Sequence, residues 1–200
     1  RFQWITTGKI SQKPLLFEKQ HLERQQKASR YFAFPFDQDS LRQKIEEECQ
    51  ACDLHQDYRL RISLNKSGEI DIDRQVLIPL SSSFCQAKLC LQEADLQQAF
   101  TYFKTTHRPH LTTGEQEIIY HTADGKLLET SIGNLVLKMD GKLYTPPSQL
   151  SLLPGIYRQH LLESGQVEEK ILTIEDLAHA EAIYGCNAVR GLYELSVKEN

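Results

Sequence analysis

Two Asp-Gly dipeptides, in Ala123-Asp124-Gly125-Lys126 and Met139-Asp140-Gly141-Lys142, constrain the fold more than any other feature of this chain. A short loop of this kind needs positive φ, and its twist matches that of paired antiparallel strands. Each predicts a hairpin, so the second half of the chain reads as strand-rich. Strand-like runs cover 87–91, 100–105 and 117–122, and the last strands fall within 183–197. Two helices interrupt them. One covers 153–164 and is closed by Gly165; the other covers 174–182, with Thr173 as its cap.

The first half mixes two periods. A strand over 2–10 and an apolar continuation over 15–17 lead into a helix over 20–32, which Phe34-Pro35-Phe36 ends. A second helix over 41–52 takes Asp39 or Ser40 as its cap. Residues 58–64 alternate, with Leu60, Ile62 and Leu64 on one face; Asn65-Lys66-Ser67-Gly68 turns the chain, and 69–78 returns as a strand. Pro79 and three serines by Ser83 mark a linker. The expected class is α+β in two lobes: a small α+β lobe over 1–80 and a larger strand-rich lobe over 81–200. The chain opens in what reads as mid-strand, Phe2-Gln3-Trp4-Ile5, as a truncated protein or a domain of a longer one would.

Composition excludes several classes. The 200 residues are 40% hydrophobic and 25% charged, an ordinary globular balance. A net charge of −4 gives no reason to expect a nucleic-acid or membrane surface. No apolar stretch is long enough for a bilayer and no secretion signal opens the chain, so the expected location is the cytoplasm. The five cysteines, Cys49, Cys52, Cys85, Cys90 and Cys186, are then read as reduced thiols. Cys49 and Cys52 form a Cys-x-x-Cys pair, but zinc needs four ligands, and only His55 and a remote cysteine could supplement it. The pair reads as helix packing, and no metal is expected.

The chemistry-bearing signal is ordered along the chain. Lys104 stands in Tyr102-Phe103-Lys104-Thr105-Thr106-His107-Arg108, Glu129 in Leu128-Glu129-Thr130-Ser131-Ile132-Gly133-Asn134-Leu135, and a helix start in Leu153-Pro154-Gly155-Ile156-Tyr157-Arg158. Taken singly, each has a bland explanation: a solvated lysine, a glutamate at a strand end, a turn after proline. Together they supply an amine for a Schiff base, an acid for a pyridine nitrogen and a helix N-terminus for a phosphate. Those are the groups that pyridoxal 5'-phosphate asks of a protein.

These fragments, with His21-Leu22-Glu23-Arg24, Thr6-Thr7, Tyr144-Thr145-Pro146-Pro147 and Asn187-Ala188-Val189-Arg190-Gly191-Leu192, resemble the fold-type IV pyridoxal-phosphate enzymes, the class IV aminotransferase group. The resemblance runs nearly end to end. It is closest to the 4-amino-4-deoxychorismate lyase domain, found alone or fused behind aminodeoxychorismate synthase. It implies the two-lobed fold of D-amino acid aminotransferase, and it implies roles. Lys104 is the Schiff-base lysine and acid/base catalyst, and Glu129 the partner of the pyridine nitrogen. Arg24 holds the phosphate, with backbone donors at Ile156, Tyr157, Asn187 and Ala188. Thr7 lies where lyases carry a threonine near the substrate. Cations for substrate carboxylates are sought at Lys9, Arg59, Arg61, His107 and Arg190.

The chain departs from the group in three places. It lacks the usual opening strand with its Asp-Arg-Gly-type loop. His107 stands where asparagine is common, and Pro109, His110 and Leu111 replace a stretch that often carries a tyrosine. The implied activity is lysis of 4-amino-4-deoxychorismate to pyruvate and 4-aminobenzoate, a step of folate synthesis. The alternatives are a class IV aminotransferase for branched-chain or D-amino acids, and an inactive domain that partners a synthase. A homodimer is implied by resemblance alone.

Overall fold

Alternation along β1 (Trp4–Ile10) sorts its side chains. Trp4, Thr6, Gly8 and Ile10 are buried, while Thr7 and Lys9 are half-buried on the other face. The buried face meets α1 (Glu18–Phe32), whose inward stripe is His21, Leu22, Gln25, Ala28 and Ser29. The spacing of these residues is that of one helical face. α2 (Gln38–Gln50) adds Leu41, Ile45 and Cys49 to the same core. Asp37, rather than Asp39 or Ser40, caps it. Its carboxylate accepts the N–H groups of Asp39 and Ser40, each at 3.0 Å.

In the computed structural model, which describes residues 2–12, 14–92, 98–108, 110–112 and 114–197, the chain divides into two units. The first comprises residues 1–78 and 103–107. Here β1, β2 (Tyr58–Leu64) and β3 (Ile70–Val76) form an antiparallel sheet in that order, covered on one face by α1 and α2. Aromatic rings close one end of its core: Phe2, Phe32, Phe34 and Phe103 all lie within 6.0 Å of Trp4 or of one another, centroid to centroid.

The second unit holds the remaining strands: β4 (Gln86–Leu91), β5 (Ile118–His121), β6 (Leu127–Thr130), β7 (Asn134–Met139), β8 (Lys142–Thr145), β9 (Glu168–Glu169), β10 (Ala182–Asn187) and β11 (Gly191–Val197). The sheet runs β10-β11-β4-β5-β6-β7-β8-β9, and β10 also pairs with β7. The first six therefore close on themselves, and β8 and β9 extend the sheet from β7. Leucines 127, 135, 137 and 195 with Ile119 fill one core, at 4% exposure or less. Both Asp-Gly turns form. Gly125 takes φ 78° between β5 and β6, and Asp140 and Gly141 take 50° and 72° between β7 and β8.

The expected strand over 100–105 is not one. α3 (Gln98–Tyr102) is helical, and only Thr105 bridges to Trp4. Phe103 has a strand-forming side chain, but its half-buried ring joins the aromatic cluster. Lys104 consequently groups with the first unit, not with the strand-rich lobe. Two backbone bonds tie it there: Ile5 N–H to Lys104 C=O, and Thr106 N–H to Gln3 C=O, both 2.9 Å. The helix expected over 153–164 is α4 (Ile156–Glu163), preceded by extended residues. The one expected over 174–182 is α5 (Ile174–His179), whose cap Thr173 forms a reciprocal pair with Asp176. Cys49 and Cys52 are buried in the first core, and no disulfide forms among the described residues. Burial pushes the Cys49 thiol up to about 11, away from reactive thiolate character.

Candidate functional site

In the first unit the chemistry gathers along β1. His21 is buried, and its Nδ1 lies 2.6 Å from Thr6 Oγ1. Its Nε2 faces Gly8, where a Cβ would come within 2.7 Å of that nitrogen, so only glycine admits the ring. Burial, with the nearby positive charges of Arg24 and Lys104, pushes the imidazole down to about 3. It is therefore neutral near pH 7. That dependence also reports that two cations, Arg24 from α1 and Lys104 from the segment beside β1, converge near one buried ring. Both are half-buried, whereas Lys27, one turn on from Glu23, is exposed.

The open face of the same sheet carries the predicted substrate cations. Thr7 pairs across the strands with Arg61, and Lys9 with Arg59. Lys9 is already engaged: its Nζ lies 2.6 Å from an Asp57 carboxylate oxygen. Arg59 reaches Gln75 at 3.3 Å. Thr7 and Arg61 thus stand as a hydroxyl and a guanidinium on adjacent strands and one face. His107 is exposed, and its N–H and C=O are both taken by the Thr105 hydroxyl, at 3.1 and 2.7 Å.

In the second unit Glu129 is 3% exposed. One carboxylate oxygen accepts the Leu153 N–H at 3.3 Å, and the other lies 3.6 Å from Arg108 Nη2. Desolvation disfavours the charged form of Arg108, which the Glu129 carboxylate opposes. The Leu153 carbonyl in turn accepts from Asn134 Nδ2 at 2.8 Å. Asn134 is the cross-strand partner of Glu129, so this tight β6–β7 turn grips Leu153 by both its N–H and its C=O. Glu117, fully buried, anchors the turn from beneath. Its carboxylate accepts from the Ser131 hydroxyl and, at 2.9 Å, from the Tyr193 hydroxyl.

Gly155 begins α4 without offering it a side-chain cap. Ile156 and Tyr157 occupy the first turn, where backbone N–H groups and the helix dipole favour an anion. Arg158, from the same motif, is buried and structural: it donates to the Pro146 carbonyl at 2.8 Å. Asn187 spends its side chain locally. Its Oδ1 accepts the N–H groups of Val189 and Arg190, each at 3.0 Å, which shapes the turn holding Ala188 and half-buried Arg190. Asn187 Nδ2 donates to the Ile132 carbonyl at 3.2 Å. Sequence reasoning missed the Thr6–His21 pair, Arg108, Asn134 and Glu117. Gly8 and Gly155 were the available signals, since each sits where a side chain would collide with one of these groups.

Comparison with known proteins follows this geometry. The model of the amino-transferase class IV family matches residues 3–196. A curated relative, an uncharacterised protein of Haemophilus influenzae, is 38% identical over 69 residues, which is 34% of this chain and 36% of that protein. The chain thus matches only about a third of that relative's length. Among solved structures, a provisionally named amino-acid aminotransferase of Mesorhizobium loti is 25% identical over 99% of this chain and 100% of that one, with a TM-score of 0.84. A provisionally named 4-amino-4-deoxychorismate lyase of Haemophilus somnus is 25% identical over 96% of this chain and 98% of that one, with a TM-score of 0.75. A hypothetical aminotransferase of Mycobacterium tuberculosis, solved with pyridoxal phosphate bound, shares the fold at 16% identity and a TM-score of 0.78, covering 98% and 81%.

Proposed function

The chain belongs to the class IV aminotransferase family, and from that premise we propose that it is a pyridoxal-phosphate lyase that releases pyruvate and 4-aminobenzoate from 4-amino-4-deoxychorismate. The residues present fit the cofactor. A buried carboxylate suits a protonated ring nitrogen, an uncapped helix start suits a phosphate, and a half-buried lysine beside another cation suits a reactive amine. The cofactor, when bound, draws electrons from the carbon next to the substrate nitrogen. Lys104 Nζ takes the proton from that carbon. Glu129 holds the proton on the ring nitrogen. Arg24 and the backbone at Ile156, Tyr157, Asn187 and Ala188 hold the phosphate.

The observation that favours lysis is the Thr7–Arg61 pair on the open face of β1 and β2. The substrate carries two carboxylates and loses an enolpyruvyl ether. A guanidinium there pairs with a carboxylate, and the Thr7 hydroxyl donates a proton to the departing enolate oxygen. The scheme balances: the ring loses a C–H proton and the ether oxygen, and becomes aromatic. Lys9, engaged by Asp57, is a weaker candidate, and Arg59, His107 and Arg190 are secondary. The resemblance adds a homodimer and action beside an aminodeoxychorismate synthase in folate synthesis. The runner-up is an aminotransferase, favoured by the likeness to the Mesorhizobium loti protein.

The assay that separates the two is turnover without an amino acceptor. Aminodeoxychorismate should give pyruvate and aminobenzoate over many cycles with no keto acid present. Branched-chain or D-amino acids with 2-oxoglutarate should give little sustained reaction. Transamination without pyruvate release would promote the runner-up.

Arg24 offers an independent check. Arg24→Ala should weaken cofactor binding about tenfold or more, the worth of a charge-assisted hydrogen bond. Lys27→Ala, on the exposed side of the same helix, should change it little. Equal dissociation constants for the two variants would leave Arg24 without a phosphate role.

A further inference from the structure

We propose that Asn134, seated against Gly155, is a positioning residue that aims the Glu129 carboxylate through the backbone of Leu153; the inference rests on the cofactor reading above. Three observations carry it. Asn134 Nδ2 donates to the Leu153 carbonyl at 2.8 Å. The N–H of the same residue donates to Glu129 at 3.3 Å. A Cβ on Gly155 would lie 2.0 Å from Asn134 Oδ1. Asn134 is itself 4% exposed, so its amide has no water to fall back on.

Leu153 is thus held at the two successive peptides that flank its Cα, by two side chains that are cross-strand partners on the β6–β7 ladder. Releasing the carbonyl frees the peptide after Leu153 to turn, and the Leu153 backbone, with the N–H that orients Glu129, shifts in response. Glu129 then turns toward Arg108, whose guanidinium is 3.6 Å away. A carboxylate drawn there is lost to the ring nitrogen. Gly155 belongs to the same device. Its φ of −67° and ψ of 142° suit any residue, so glycine is required by the asparagine and not by the backbone.

The test is a double-mutant cycle on the cofactor dissociation constant, measured by equilibrium dialysis. Asn134→Ala and Gly155→Ala should each weaken pyridoxal-phosphate binding about tenfold. The double variant should lose no more than Asn134→Ala alone, because removing the amide removes the clash. A second arm uses the analogue with carbon in place of the ring nitrogen. If Asn134 acts through Glu129, the variants and the unaltered protein should bind that analogue alike. A general packing defect would weaken both ligands equally, and that result, or additive losses in the cycle, would overturn the proposal while leaving the cofactor reading intact. No binding of pyridoxal phosphate by the unaltered protein would sink both. Thermal unfolding of each variant identifies any that fails to fold. Asn134→Leu, which keeps the side-chain volume without the amide, then carries the analogue comparison.

Discussion

Lys104→Ala should abolish the borohydride-reducible adduct with pyridoxal phosphate and lower turnover on the order of a thousandfold, the scale of a lost general acid/base. The protein should stay folded. What ties this position to β1 is its carbonyl, which accepts from Ile5 N–H, and alanine keeps that carbonyl. The expected colour change is equally simple: the unaltered protein is yellow with cofactor and the variant is not. Peptide mapping after reduction decides the matter. A label on any other lysine, or an adduct that survives the substitution, would remove Lys104 from the chemistry.

Glu129→Gln should keep the adduct at Lys104 yet slow turnover by roughly ten- to a hundredfold, the rate equivalent of about 1.5–3 kcal/mol for a charge-assisted bond. The amide oxygen still accepts the Leu153 N–H, so the local frame survives. What is lost is the charge that keeps the ring nitrogen protonated and that now opposes the desolvation of Arg108. Undiminished turnover at saturating cofactor would show that Glu129 does not meet the ring.

Much of this fold was legible because its turns are chemically specific. Asp124-Gly125 and Asp140-Gly141 announced two hairpins, and both formed with the positive φ values such loops require. The alternating run at 58–64 and the Thr173 cap were likewise local signals. The failures came where tertiary contacts overrode local preference. Phe103 and Thr105 look like strand residues, but the ring joins the Trp4 cluster and only Thr105 pairs. The α2 cap shifted to Asp37 because an aspartate two residues before Asp39 reaches both early N–H groups.

The site divides along the same line. Lys104, Arg24 and Glu129, the proposed cofactor residues, stand in the sequence as an ordered set of residue types. Their supports do not. Thr6 and His21 are 15 residues apart, Asn134 and Leu153 are 19, and Glu117 and Tyr193 are 76. No local pattern encodes such pairs; they exist only once strands and helices have docked. A glycine in an otherwise ordinary position was the nearest thing to a trace of them.

The return of residues 103–107 to the first unit also orders its birth on the ribosome. β1 is made before β4 and α3, yet its outer edge finds its partners, Lys104 and Thr106, only after those elements have been synthesised. Until then that edge presents bare N–H and C=O groups beside an aromatic cluster short of one ring, the surface on which strands of other chains add. The nascent small unit thus stays unfinished until residues 103–107 arrive, and the segment that carries the proposed cofactor lysine also covers the edge of β1.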